Sequence, residues 1–167
     1  ETIGGEVRLM DYYEASGESL DHYIGWLNEK GYRDYNHILP HDVNVRELQT
    51  GKSRYEFLTD AGLNIDICPK HTVDDGIQGV RKFLANCWFH KATTKHGVEC
   101  LRNYRRVFNE KLNVFQEKAL HDWSSHGADA FRYLAMGLDT SSTNKRTNWN
   151  EPYEKTYDGE SYKRQFM

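Results

Sequence analysis

Two aspartates carry the plainest chemistry in this sequence. Asp42 closes Ile38-Leu39-Pro40-His41-Asp42, an apolar run that ends in an acid. Pro40 cannot donate to a strand ladder, so a strand over Tyr35 to Leu39 has to finish there and release the next two side chains. In open α/β sheets, sites gather at the carboxyl ends of strands. Asp129 lies within His121-Asp122-Trp123-Ser124-Ser125-His126-Gly127-Ala128-Asp129-Ala130-Phe131-Arg132-Tyr133. At helical spacing His126, Asp129 and Tyr133 share one face, with Ala130, Leu134 and Gly137 roughly a quarter-turn away as a small packing surface. A helix lined by Gly and Ala can approach a sheet closely. Two carboxylates converging from a strand end and a helix would make an oxygen site suited to Mg²⁺ or Mn²⁺. Such ions, about 3.5–4 Å apart in two-metal sites, activate water and stabilise the departing oxygen in phosphodiester cleavage. Simpler roles stay open: Asp42 as a turn acid, and Asp129 as the i,i+3 partner of His126 on a surface helix.

Each candidate acid has polar neighbours. His41 and His126 are candidates for orienting a metal ligand or touching a phosphate, or for plain solvated or core histidines. Arg46, Lys52 and Arg54 follow Asp42, with Gly51 among them. They are candidates for holding DNA phosphates beside the metals, and a solvated charged face is the alternative.

The elements that must position these residues follow from periodicity. Val7 to Glu14 alternates as a strand, and Ser16 to Ser19 forms a turn and cap before a helix that Gly31 stops. Ser53-x-x-Glu56 reads as a capping box for a helix through Ala61, ended by Gly62. Asn64 to Cys68 reads as a strand, Thr72-x-x-Asp75 as the cap of another helix, and Cys87-Trp88-Phe89 as a brief strand. Val98, Leu101, Tyr104, Arg105 and Phe108 predict a helix with Arg102, Arg105 and Arg106 outward. Ser124-Ser125 is expected to cap a last helix reaching about Met136, and residues 139–167, rich in Ser, Thr and Asn at their start, are expected to form an extended polar tail. Alternating strands and helices define an α/β class.

Composition sets the outer limits. The 167 residues suit one domain with a single core, and 38% hydrophobic and 13% aromatic residues suffice to build it. No apolar run approaches the roughly 18 residues of a membrane span. Cys68, Cys87 and Cys100 are odd in number and scattered, which disfavours a disulfide framework or a zinc knuckle and fits a reducing compartment. The net charge of -3 is mildly against a dedicated duplex-binding protein, although a basic path and an acidic site can cancel in the sum. The opening Glu1-Thr2-Ile3-Gly4-Gly5 is no signal peptide, and the lack of an initiating Met leads us to expect a chain beginning in mid-protein.

Ile38 to Asp42, with Arg46-Glu47 and Thr50-Gly51-Lys52-Ser53-Arg54 behind it, resembles the middle of the nuclease domain of tailed-bacteriophage terminase large subunits. His121 to Tyr133 is similar to the carboxyl-terminal signature of that domain, and Asp11-Tyr12-Tyr13-Glu14 with Leu20-x-x-Tyr23 resembles its early part. The resemblance spans about residues 6 to 138 and leads us to expect a nuclease domain over 1–138 with the tail at 139–167. It implies a ribonuclease-H-like mixed sheet flanked by helices and a metal-dependent endonuclease that cuts concatemeric double-stranded viral DNA during packaging. It further implies a two-metal Mg²⁺ or Mn²⁺ site, portal and small terminase subunit as partners of the full-length protein, and the host cytoplasm as location. Asp42 matches the second acid of the family and Asp129 the third. The first acid belongs on a strand preceding Val7 to Glu14, so that strand is expected to be missing here, and the activity of this stretch alone depends on it. The resemblance implies a motor ATPase domain before the nuclease, and no G-x-x-x-x-G-K-[ST] motif occurs, so this chain is not expected to be the motor by itself. A non-catalytic docking module of the packaging motor is the alternative, and a resolvase or integrase relative is a third.

Overall fold

The computed structural model describes residues 2–3, 5–46 and 51–144. It is a mixed α/β structure, as the alternation of elements predicts. The strands hydrogen-bond in three groups, and a continuous ribonuclease-H-like sheet is not among the described pairings. In the first group β1 (Thr2–Ile3) runs antiparallel to β2 (Glu6–Leu9), which lies parallel to β5 (Cys87–Phe89). In the second, β3 (Asn36–Leu39) and β4 (Asn64–Ile67) are parallel, joined through helix α2 (Arg54–Asp60). The third is an antiparallel hairpin of β6 (Arg106–Asn109) and β7 (Val114–Ala119). The remaining helices are α1 (Leu20–Lys30), α3 (Val73–Phe83), α4 (Lys95–Asn103) and α5 (Trp123–Asn144). Among the described residues no helix is long and apolar enough to cross a membrane, and the three cysteines are free thiols.

Local chemistry sets most boundaries. Gly31 adopts φ 72° after α1, and the amide of Tyr32 reaches back to the Leu27 carbonyl at 2.8 Å, a left-handed helix stop that glycine favours. At α2 the Ser53 hydroxyl accepts from the Glu56 amide at 3.1 Å while the Glu56 carboxylate accepts from the Ser53 amide at 2.8 Å, so the expected capping box forms. Thr72 caps α3 through the Asp75 amide. Helix α5 is capped by Asp122 rather than by Ser124 or Ser125, for the Asp122 carboxylate accepts from both the amide and the hydroxyl of Ser124.

Three expectations are corrected. The strand starting at Val7 stops at Leu9, because its partner β5 ends at Phe89 and the next side chains take other partners. Asp11 pairs with Lys30 at 3.0 Å, and Tyr13 stacks on Trp26 with ring centroids 4.8 Å apart. The helix expected through Phe108 ends at Asn103, whose side chain bonds the Glu99 carbonyl, and Tyr104 is extended. Residues 106–119 then form the hairpin, where the Asn109 side chain accepts from the amides of Lys111 and Leu112, and Asn113 takes φ 52°. The last helix continues past Met136 to Asn144, so the expected tail starts as helix. Residues 145–167 of that tail lie outside the described residues.

Helix α5 packs on α3, on α4 and on β3. Ala128, Phe131 and Ala135 form its buried stripe, with the Phe131 ring 5.7 Å from that of Phe83 and 5.8 Å from that of Phe89. Small residues bring the partners close. A Cβ at Gly127 would sit 2.5 Å from the Tyr12 hydroxyl and 2.8 Å from Cys100 Sγ, and one at Gly137 would strike Ile38 of β3. Gly25 in α1, by contrast, has open space around its would-be Cβ. Gly127→Ala is therefore expected to destabilise the protein by about 1–3 kcal/mol through overpacking. Gly25→Ala should stabilise it by roughly 0.5–1 kcal/mol through helix propensity. Urea unfolding checks both, and equal effects of the two substitutions would refute the packing account.

Candidate functional site

Asp129 faces an open groove of about 860 Å³ walled by α3, α5 and the β6–β7 hairpin. Five cationic side chains line it, Arg81, Arg105, Arg106, Lys118 and Arg132, against the carboxylates Asp74 and Asp129. Arg106 pairs with Asp74 at 3.1 Å and Arg105 with Asp122 at 3.4 Å. Arg81 and Lys118 are exposed and have no ion-pair partner among the described residues. The field inside is positive, which suits a polyanion.

Asp129 does not pair with His126. Its Oδ1 accepts from Arg132 Nη2 at 2.8 Å, one helical turn on. Arg132 is only 7% exposed, and Gly76 makes room for its stem, since a Cβ there would sit 2.5 Å from Arg132 Cδ. The other guanidinium nitrogen, Nη1, is 3.3 Å from His71 Nε2, the plane lies 5.0 Å over the Tyr133 ring, and buried Nε has no hydrogen-bond partner. Tyr104 also lines the groove, and burial first, with the Asp129 charge second, pushes its phenol above the usual range.

Asp42 sits in a short 3-10 turn, His41–Asn44, just past the end of β3, where Pro40 ends the strand as predicted. Its carbonyl closes the turn to the Val45 amide, while its exposed carboxylate has no partner among the described residues. Buried Val43 anchors the turn. The ends of β3 and β4 are adjacent, with the Cys68 amide donating to the Leu39 carbonyl at 2.8 Å, and His71 leads from β4 to Arg132. Asp42 does not line the groove, and among the described residues neither acid belongs to a cluster of three potential metal ligands.

The other predicted residues are dispersed. Arg46 pairs with Glu56 at 3.5 Å, Lys52 with Asp60 at 3.0 Å, and exposed Arg54 opens α2; none of the three lines the groove. Glu47 and Thr50 lie outside the described residues. His41 is exposed, and His126 meets His121 edge-on at 5.1 Å.

Sequence reasoning missed a second cluster. Tyr12 donates to Glu14 Oε2 at 2.5 Å, the other carboxylate oxygen of Glu14 is 2.6 Å from His96 Nε2, and Tyr12 is 3.8 Å from Cys100 Sγ. The only signal available was the i,i+4 spacing of His96 and Cys100. Compared with known proteins, the chain matches no family model, no curated protein and no solved structure, so the motif resemblance rests on its own residues.

The Tyr12 hydroxyl, ahead of the His96 contact, holds the Glu14 carboxyl below its usual value of 4.5. The folded state therefore binds fewer protons there than the unfolded chain. The stability this gives is fully present above the usual value and is lost as pH falls through the lowered one. The part of the stability gap between the protein and Glu14→Gln that rests on this carboxylate should close as the pH falls below about 4.5, as read by urea unfolding at stepped pH. A gap independent of pH would contradict it.

Proposed function

We propose that this chain is the nuclease portion of a tailed-phage packaging terminase, a Mg²⁺- or Mn²⁺-dependent endonuclease acting on concatemeric double-stranded DNA. The setting of Asp129 carries the reading: a carboxylate at the wall of a positively charged groove, held by a buried arginine. Duplex DNA needs cations along its phosphates and an acid-held metal at the scissile bond. Asp42, exposed in the turn just past the end of β3, is assigned as the second metal-binding acid, and the motif resemblance supports both assignments. Arg81 and Lys118 in the groove, with Arg46, Lys52 and Arg54, which follow Asp42 in the chain, are assigned to the DNA backbone. The parallel pairs β2–β5 and β3–β4, flanked by helices, are pieces that a ribonuclease-H-like sheet contains, which supports that finer fold assignment. The first acid of the family completes the site in this reading, and portal and small terminase subunit are the partners of the full-length protein in the host cytoplasm.

The full-length protein should nick and linearise supercoiled plasmid in Mn²⁺. Asp42→Ala and Asp129→Ala should each lower the rate at least roughly a hundredfold, the scale of several kcal/mol that metal ions contribute. Replacing Arg81 and Lys118 with alanine should weaken duplex binding and flatten its log–log salt dependence by about two units. Cutting by both aspartate variants at the parent rate overturns the assignment. Portal binding that survives Asp129→Ala, with no Mg²⁺ or Mn²⁺ uptake, would instead identify a docking module.

A further inference from the structure

Glu14, His96 and Cys100 bring their ligating atoms within 4.8 Å of one another. His96 and Cys100 are four residues apart on α4, so the helix repeat sets imidazole and thiol on one face. The loop after β2 lays Glu14 over them. Each donor is already oriented by a neighbour. Tyr12 donates to Glu14, and the Tyr12 ring is held against Gly97, where a Cβ would come within 2.7 Å. His96 stacks on Trp123 with centroids 5.7 Å apart, and Cys100 is fully buried. Sulfur forms the floor, while the half-exposed carboxylate and imidazole form a mouth open to solvent.

A thiolate, an imidazole and a carboxylate are the donor types zinc takes, at about 2.3, 2.0–2.1 and 2.0–2.2 Å respectively. Tetrahedral bonds of those lengths separate donors by roughly 3.3–3.8 Å, within the span seen here. Mg²⁺, which prefers all-oxygen shells, does not suit a sulfur floor. We propose that Glu14, His96 and Cys100 bind one zinc ion, with a water in the fourth position. On binding, the Cys100 thiol loses its proton to solvent and the sulfur gains the metal bond, while Glu14 and His96 exchange their mutual contact for the ion and the ring nitrogen of His96 that takes the ion gives up any proton it carries, to solvent or to the other ring nitrogen. The ion ties the loop after β2 to α4, apart from the oxygen site assigned to Asp42 and Asp129.

Titration of the metal-free protein with Co²⁺, followed by displacement with Zn²⁺, tests this. One equivalent of cobalt should bind with the charge-transfer absorption of a cobalt–thiolate bond. The band should vanish in Cys100→Ser and persist in Cys68→Ser, whose sulfur lies 3.8 Å from His71 and is the rival donor. Because Cys100 is buried, the exposed-ligand variants His96→Ala and Glu14→Gln, with folding verified by circular dichroism, give the second reading. Each should weaken zinc binding at least roughly tenfold, the smallest loss expected when even an outer partner of a metal ligand is removed. No saturable uptake, or uptake as tight as the parent in both variants, overturns the site. Neither result touches the nuclease assignment, which uses other residues and harder ions.

Discussion

Helix α5 has to lie against α3, α4 and β3 at once, and most of the structure follows from how it does so. Three neighbours around one helix leave no room for large side chains on every face. Gly127, Ala128, Ala135 and Gly137 supply the thin faces, and Phe131 fills the wider gap between α3 and β5. Close packing of this kind transmits position. The Gly127 contact fixes Tyr12, and the Gly137 contact fixes β3 and hence the turn that carries Asp42. A helix so enclosed is a rigid base for the side chains at its margins.

Charge is then distributed around that helix in two distinct environments. On the α3 side, arginines outnumber acids in an open groove, and the most buried of them, Arg132, is held by Asp129, by His71 and by the Tyr133 ring. A buried guanidinium with one nitrogen unpartnered is costly to keep, and its position beside Asp129 fixes that carboxylate at the groove wall. On the α4 side, Tyr12, Glu14, His96 and Cys100 form a compact polar knot with a sulfur inside. Burial pushes the Cys100 thiol up, so without a bound cation it stays protonated at neutral pH. One side of α5 presents hard oxygen donors among cations, and the other presents borderline-soft donors shielded from them.

Several of the helices and their caps were legible in the sequence, because their causes are local. The Ser53–Glu56 box, the Thr72 cap, the Gly31 stop and the Pro40 strand end each depend on neighbours within a few residues. The hairpin at 106–119 was not legible as such. Its first strand continues the apolar spacing of α4, and the competing signal, an Asn109 turn closed through Asn113, is weaker than that spacing. Asp122 displaced the two serines as cap of α5 because a carboxylate reaches both the amide and the hydroxyl of Ser124.

What the sequence determined by itself is therefore the set of local elements, the α/β class, and the candidacy of Asp42 and Asp129 as acids on a strand end and a helix. Only the tertiary structure decided which side chains share a space. Arg132, one turn from Asp129, could have pointed to solvent, and residues as far apart as Tyr12 and Cys100 meet only because Gly127 lets their segments close on α5. Helix and turn signals act over one or two turns of chain, whereas a groove or a ligand cluster is assembled by packing between segments whose separation in sequence carries no information about their distance in space.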